Sequence, residues 1–108
     1  MKKSLIRFAI LGIIAATAWS YAQAPKHNYV PPNGYVPDAK TAMQIAVAVW
    51  SPIYGTKKIQ GEKPFKAKLV NGVWIVEGSL PPKYTVGGVA VAEISKRDGR
   101  ILRVSHGR

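Results

Sequence analysis

The sequence has no cysteine, only five acidic residues and only two histidines in 108 positions. The first absence excludes a disulfide framework, a thiolate metal site and lipid attachment through cysteine. The scarcity of acids and histidines leaves little from which to build acid–base or metal chemistry. A long apolar run is missing too: Phe8 to Trp19 spans a dozen residues, whereas a membrane-spanning helix needs about 20.

Present in their place is an excess of cations. Sixteen Lys and Arg against five Asp and Glu give a formal charge of +11, and 47% of residues are hydrophobic, enough for one compact domain. Such a balance in a cytosolic protein would raise nucleic acid as a partner. The N-terminus argues otherwise. A basic start, Met1 to Arg7, precedes the apolar run and then Ser20-Tyr21-Ala22-Gln23-Ala24, the order of a secretory signal peptide with cleavage expected after Ala24. The mature chain is then expected in the periplasm with no membrane anchor. Loss of Lys2, Lys3 and Arg7 with no acids takes the charge from +11 to +8, so the exported surface stays basic. Nucleic acid drops out as a partner, and no aromatic-interleaved RNA-binding motif restores it.

Pro25 to Pro37 contains four prolines and an Asn-Gly, which neither a helix nor a central strand accommodates. It reads as an extended leader: a spacer over 25–33, with Tyr35 and Val36 docked on the domain of residues 38–108. Asp38 is placed to cap a helix. Beyond it Ala42, Ile45, Ala46, Val49, Trp50 and Ile53 recur at helical spacing. Pro52 predicts an end or kink near Trp50, or a short further turn stopping at Gly55. Thr56 to Lys63 reads as a polar connecting loop of solvated lysines.

The stretch from Pro64 to Gly78 organises the rest. Phe65–Val70 and Val73–Val76 flank Asn71-Gly72, the dipeptide best suited to a type I′ hairpin turn. Phe65, Ala67 and Leu69 share one face and Lys66 and Lys68 the other, the alternation of a sheet with one wet side. Trp74 has the opposite parity to Val73 and Ile75, so one set faces the helix; an outward Trp74 would be a protein-binding anchor. Ser79 to Gly88 is a long loop, Val89 to Ile94 a third strand, Ser95 to Gly99 a turn, and Arg100 to Ser105 a fourth strand with Ile101 and Arg103 on one side. The fold class is α+β: one main helix packed on a four-stranded antiparallel meander.

No catalytic or metal grouping emerges. His27 lies in the leader and His106 near the C-terminus, while Asp38, Glu62, Glu77, Glu93 and Asp98 are assigned to a cap, a loop, a strand end, a strand and a turn. Glu77 and Glu93 lie within reach of each other across strands, but pairing with nearby Lys or Arg is the simpler outcome. Catalytic residues, cofactors and metals are therefore all expected to be absent.

Several linked motifs carry a resemblance: AVAVWSPIYG over 46–55, Lys63 to Ala67, Val73 to Pro81, Gly87-Gly88 and Asp98 to Leu102. Over roughly Tyr35 to Arg108 they resemble the immunity protein family with a nuclear transport factor 2-like fold, found in bacterial polymorphic toxin systems. The resemblance implies a cystatin- or nuclear transport factor 2-like plan and a non-enzymatic protein that binds and blocks a cognate toxin, here one acting in the periplasm. It names no contact residues. Loop aromatics and cations suggest Tyr54, Lys57, Lys83, Tyr84, Gly87 and Gly88, with Trp74 if exposed, against an acidic toxin face. A periplasmic inhibitory or regulatory module similar to PepSY domains is the alternative. A small enzyme of the ketosteroid isomerase type would need a buried acid in a closed cavity.

Overall fold

A computed structural model describes residues 26–83 and 87–107. The expected signal peptide and Tyr84 lie outside those residues. Helix α1 spans Ala39–Tyr54 and a short α2 spans Thr56–Gln60, followed by strands β1 (Lys66–Val70), β2 (Val73–Glu77), β3 (Val89–Ser95) and β4 (Ile101–Gly107). The strands form one antiparallel sheet in the order β1-β2-β3-β4, the meander that short connections favour.

Asp38 begins α1 in extended backbone and its carboxylate accepts from the Thr41 amide at 2.8 Å, filling one of the donors a helix start leaves open. The Thr41 side chain, and after it that hydrogen bond from the amide, hold the Asp38 carboxyl below its usual range. Ala42, Ala46 and Trp50 are the fully buried stripe of α1. The two alanines let the helix sit close to the sheet, and Trp50 fills the space beyond them, its ring centroid 5.8 Å from that of Phe65. Of the two outcomes Pro52 allowed, the helix takes the second, continuing one turn past Trp50 to stop at Gly55. Pro52 lies inside the last turn, Ser51 Oγ donates to the Val47 carbonyl at 2.7 Å, and the Gly55 amide closes on the Ser51 carbonyl. A proline this close to a C-terminus forfeits one bond without a following turn to disrupt. Ile53 leaves the stripe and is 58% exposed.

The hairpin turn forms with Asn71 and Gly72 both at positive φ, as a type I′ turn requires. Ala67 pairs with Val76 and Leu69 with Trp74, so these residues share the helix-facing side. Trp74 is therefore a core residue, 8% exposed, with Nε1 donating to the Val36 carbonyl at 2.8 Å; it is not an outward anchor. Val73 and Ile75 take the outer face. On β3, Ala90, Ala92 and Ile94 are buried while Val89, Val91 and Glu93 are half-buried. Glu93 meets Arg103 of β4 at 2.7 Å, the simpler of the two pairings expected for it. One residue on, Ile94 lies opposite Ile101. Leu102 is thus an extra residue, a β-bulge that puts Ile101 and Arg103 on opposite sides of the sheet instead of one.

The leader does dock. Tyr35 and Val36 donate their amides to the carbonyls of Arg97 and Lys96, both at 3.0 Å, and Val36 is 1% exposed. Gly34 passes so close to the Lys96 carbonyl that a Cβ would overlap it, and its φ of +83° suits glycine. The docking extends into the expected spacer: the Tyr35 hydroxyl donates to the Tyr29 carbonyl at 2.6 Å and the Lys96 ammonium to the Asn33 carbonyl.

Candidate functional site

The segment expected to be a loop is the origin of the site. Thr56 to Gln60 is a helical turn whose Ile59 is fully buried, and it delivers Glu62 to the interior. Glu62 is 4% exposed, the one buried charged residue among those described. A lone carboxylate at that depth would be costly, so its partners decide whether the fold tolerates it. Oε1 accepts from the Ala90 amide of β3 at 2.8 Å, and Oε2 lies 2.6 Å from Nε2 of His106 on β4. The Glu62 carbonyl also accepts from the Ser79 amide at 2.7 Å. One residue therefore ties the chain after α2 to the ends of three strands.

Gly78 makes room for this arrangement. A Cβ there would stand 2.5 Å from Glu62 Oε1 and 2.9 Å from Glu62 Cβ, closer than packed atoms approach. Gly88 similarly admits the Gly107 backbone, whose carbonyl a Cβ would overlap. Tyr54, at the end of α1, completes the wall: its ring centroid lies 5.0 Å from that of His106 at a tilt of 52°, within the range of favourable aromatic contacts.

Above the pair opens a cleft of about 570 Å³ lined by Lys57, Lys58 and Gly61 of the α2 segment, Glu62 and His106, and Leu80, Pro81, Lys83, Gly87 and Gly88 of the loop after β2. Among the described residues Glu62 is the only carboxylate in that lining, and both of its oxygens are engaged below. The rim presents three lysines. The cleft is open to solvent, unlike the closed cavity that an isomerase-like site would need, and no buried side-chain polar atom among the described residues lacks a partner.

Four sequence-derived candidates, Lys57, Lys83, Gly87 and Gly88, line this one cleft, and a fifth, Tyr54, borders it. Trp74 is elsewhere, in the core under α1. Sequence reasoning missed Lys58, Glu62 and His106. One signal existed for His106: extending β4 by two residues places it on the same face as Val104, toward the core. Glu62 had none, since a five-residue helix with a single apolar position shows no period.

Two proteins of Escherichia coli (strain K12) are similar to this chain. Uncharacterized protein YhhH is 36% identical over 67 residues, covering 62% of this chain and 53% of that protein. Uncharacterized protein YbbC is 33% identical over 67 residues, covering 62% of this chain and 55% of that protein. The chain thus spans about half the length of the curated relatives it matches. No solved structure matches it significantly. Residues 41–108 match the family described as NTF2 fold immunity protein, a match that takes in all but the first two residues of α1, the whole sheet and every described residue of the cleft. By that match over most of its length, the chain belongs to the NTF2 fold immunity protein family.

Proposed function

We propose that this chain is an exported immunity protein that binds a cognate toxin in the periplasm and blocks it without catalysis, covering an acidic face of the toxin with the lysine-rimmed cleft. The observation that carries this reading is the convergence of Tyr54, Lys57, Lys83, Gly87 and Gly88 on one open, basic concavity. An immunity family supplies the class of activity; the basic start and apolar run of residues 1–24 support export. Lysines on an accessible rim accelerate encounter with an acidic partner, and Tyr54 offers aromatic contact area beside them.

The test is to insert an affinity tag after Ala24, express the full chain in a host that exports it, and identify by mass spectrometry what co-purifies from the periplasm in stoichiometric amount. The expected result is one exported protein whose periplasmic expression kills cells unless this chain is present. Recovery of the chain alone, with no protection against any exported toxin of the host, would overturn the reading.

A further inference from the structure

The pairing of Glu62 with His106 has an electrostatic effect on the space above it. Beneath Lys57 and Lys58 the natural arrangement would be a carboxylate that answers them, and Glu62 is the only one that the described lining supplies. Its oxygens are turned away from the rim, however, to the Ala90 amide and to His106 Nε2. The His106 ring is packed on Tyr54 and only 13% exposed. Lys57 and Lys58 form no ion pair among the described residues. A cationic concavity of limited size whose own acid is engaged inside the fold is complementary to a carboxylate from outside.

We propose that the cleft is a receptor for an acidic peptide segment, that Lys57 and Lys58 contact its carboxylates, and that His106 is a positioning residue that keeps Glu62 from answering those lysines itself. This rests on, and deepens, the toxin-binding reading: it gives the chemical class of the segment that enters the cleft. Contact with the acidic segment uses Lys58, which pattern reading did not select, and depends on His106, which no ligand needs to touch.

The test uses the full chain, purified after export and labelled with nitrogen-15, titrated with N-acetylated hexaglutamate while amide resonances are followed by NMR. Saturable shifts confined to Lys57, Lys58, Gly61, Gly87, Gly88 and His106 are expected. The double variant Lys57→Glu, Lys58→Glu should weaken binding by about tenfold or more, whereas the charge-matched Lys66→Glu, Lys68→Glu on the outer sheet face should leave it unchanged. His106→Ala, which strips Glu62 Oε2 of its partner, should weaken binding; His106→Gln, whose amide restores a donor, should recover most of it. Native amide spectra of both His106 variants separate loss of binding from loss of fold. Shifts spread over Lys66, Lys68, Lys96 and Arg97, or equal shifts from inorganic phosphate at matched charge, would overturn the assignment of an acidic peptide. If the peptide fails to bind while the chain still protects cells against its toxin, this inference falls and the immunity reading stands. If the peptide binds while protection is unaffected by Lys57→Glu, Lys58→Glu, the receptor stands and toxin capture by the cleft falls.

Discussion

The two ends of the sheet are closed in different ways. At one end lie the Asn71-Gly72 turn, the turn over 95–99 and the docked leader, joined mostly by backbone groups: Tyr35 to Arg97, Val36 to Lys96, and the Lys96 amide to the Gly72 carbonyl at 2.9 Å. At the other end side chains take over, with Glu62 accepting from Ala90 and meeting His106 where a further pair of backbone groups would otherwise continue the ladder. Backbone closure tolerates many sequences, and here it leaves Lys96 and Arg97 beside a shallow cleft of about 510 Å³ bordered by the leader. Side-chain closure demands particular residues, and it leaves a concavity with lysines around it. The same meander thus has one end sealed by backbone bonds and one closed by a buried side-chain pair.

The largest break in that comparison should come from Glu62→Ala. It strips the Ala90 amide and His106 of their partner together, and loss of one member of a buried pair costs about 3 kcal/mol or more; urea unfolding should show the midpoint fall, and the cleft residues should lose exchange protection. Gly78→Ala attacks the same end indirectly by forcing Glu62 from its seat, and overpacking of this kind costs about 1–3 kcal/mol. Thermal unfolding of Gly78→Ala and Glu62→Ala, alone and combined, should be strongly non-additive, because both act on one contact.

At the sealed end, Trp74→Phe removes the donor to the buried Val36 carbonyl while keeping most of the ring, and an orphaned buried acceptor costs about 1–3 kcal/mol. Its signature should be faster exchange of the Tyr35 and Val36 amides with the cleft unaltered. Gly72→Ala, at a φ of 77°, should lower stability by about 1 kcal/mol through strain alone.

The smallest effect should be acid sensitivity at the sealed end. Asp38 is held low chiefly by Thr41, and Asp98 by the Arg100 amide and then the Ser95 hydroxyl. A carboxyl lowered in the folded state stabilises above its unfolded value, and that contribution is lost as pH falls through the folded value. Protection of the Thr41 and Arg100 amides should hold steady from neutral pH down to the ordinary carboxyl value near 3.8 and decline only below it. Asp38→Asn should remove that acid dependence at Thr41 and leave Arg100 as before.

What could be read from the chain follows the same division. The turns of the sealed end and the helix are encoded locally, although the leader that docks there is not: Asn71-Gly72 announces one turn, Asp98-Gly99 another, and the Ala42, Ala46, Trp50 stripe repeats within one helix. The parity of Phe65, Ala67 and Leu69 gives the face of β1 correctly. For Trp74, by contrast, parity within its own strand allowed two faces, and its pairing with Leu69 across the hairpin decides which. The open end is encoded by residues that local pattern cannot join. Glu62 lies among lysines in a segment that looks solvated, and His106 is 44 positions away from it. Leu102 adds a further obstacle, since a one-residue bulge inverts the face assigned to everything before it.

That sequence separation bears on the order in which the molecule assembles. Hairpins close over few residues and form on microsecond scales, whereas closing a longer loop carries a greater entropic cost before any contact rewards it. The β1–β2 and β3–β4 turns can therefore zip independently, but the bonds from Glu62 to Ala90 and His106 close loops of 28 and 44 residues. A chain caught after the first stage would have its strands and much of its helix and still lack a cleft. Recognition of a partner would then report on completed folding, and a half-folded copy would bind nothing.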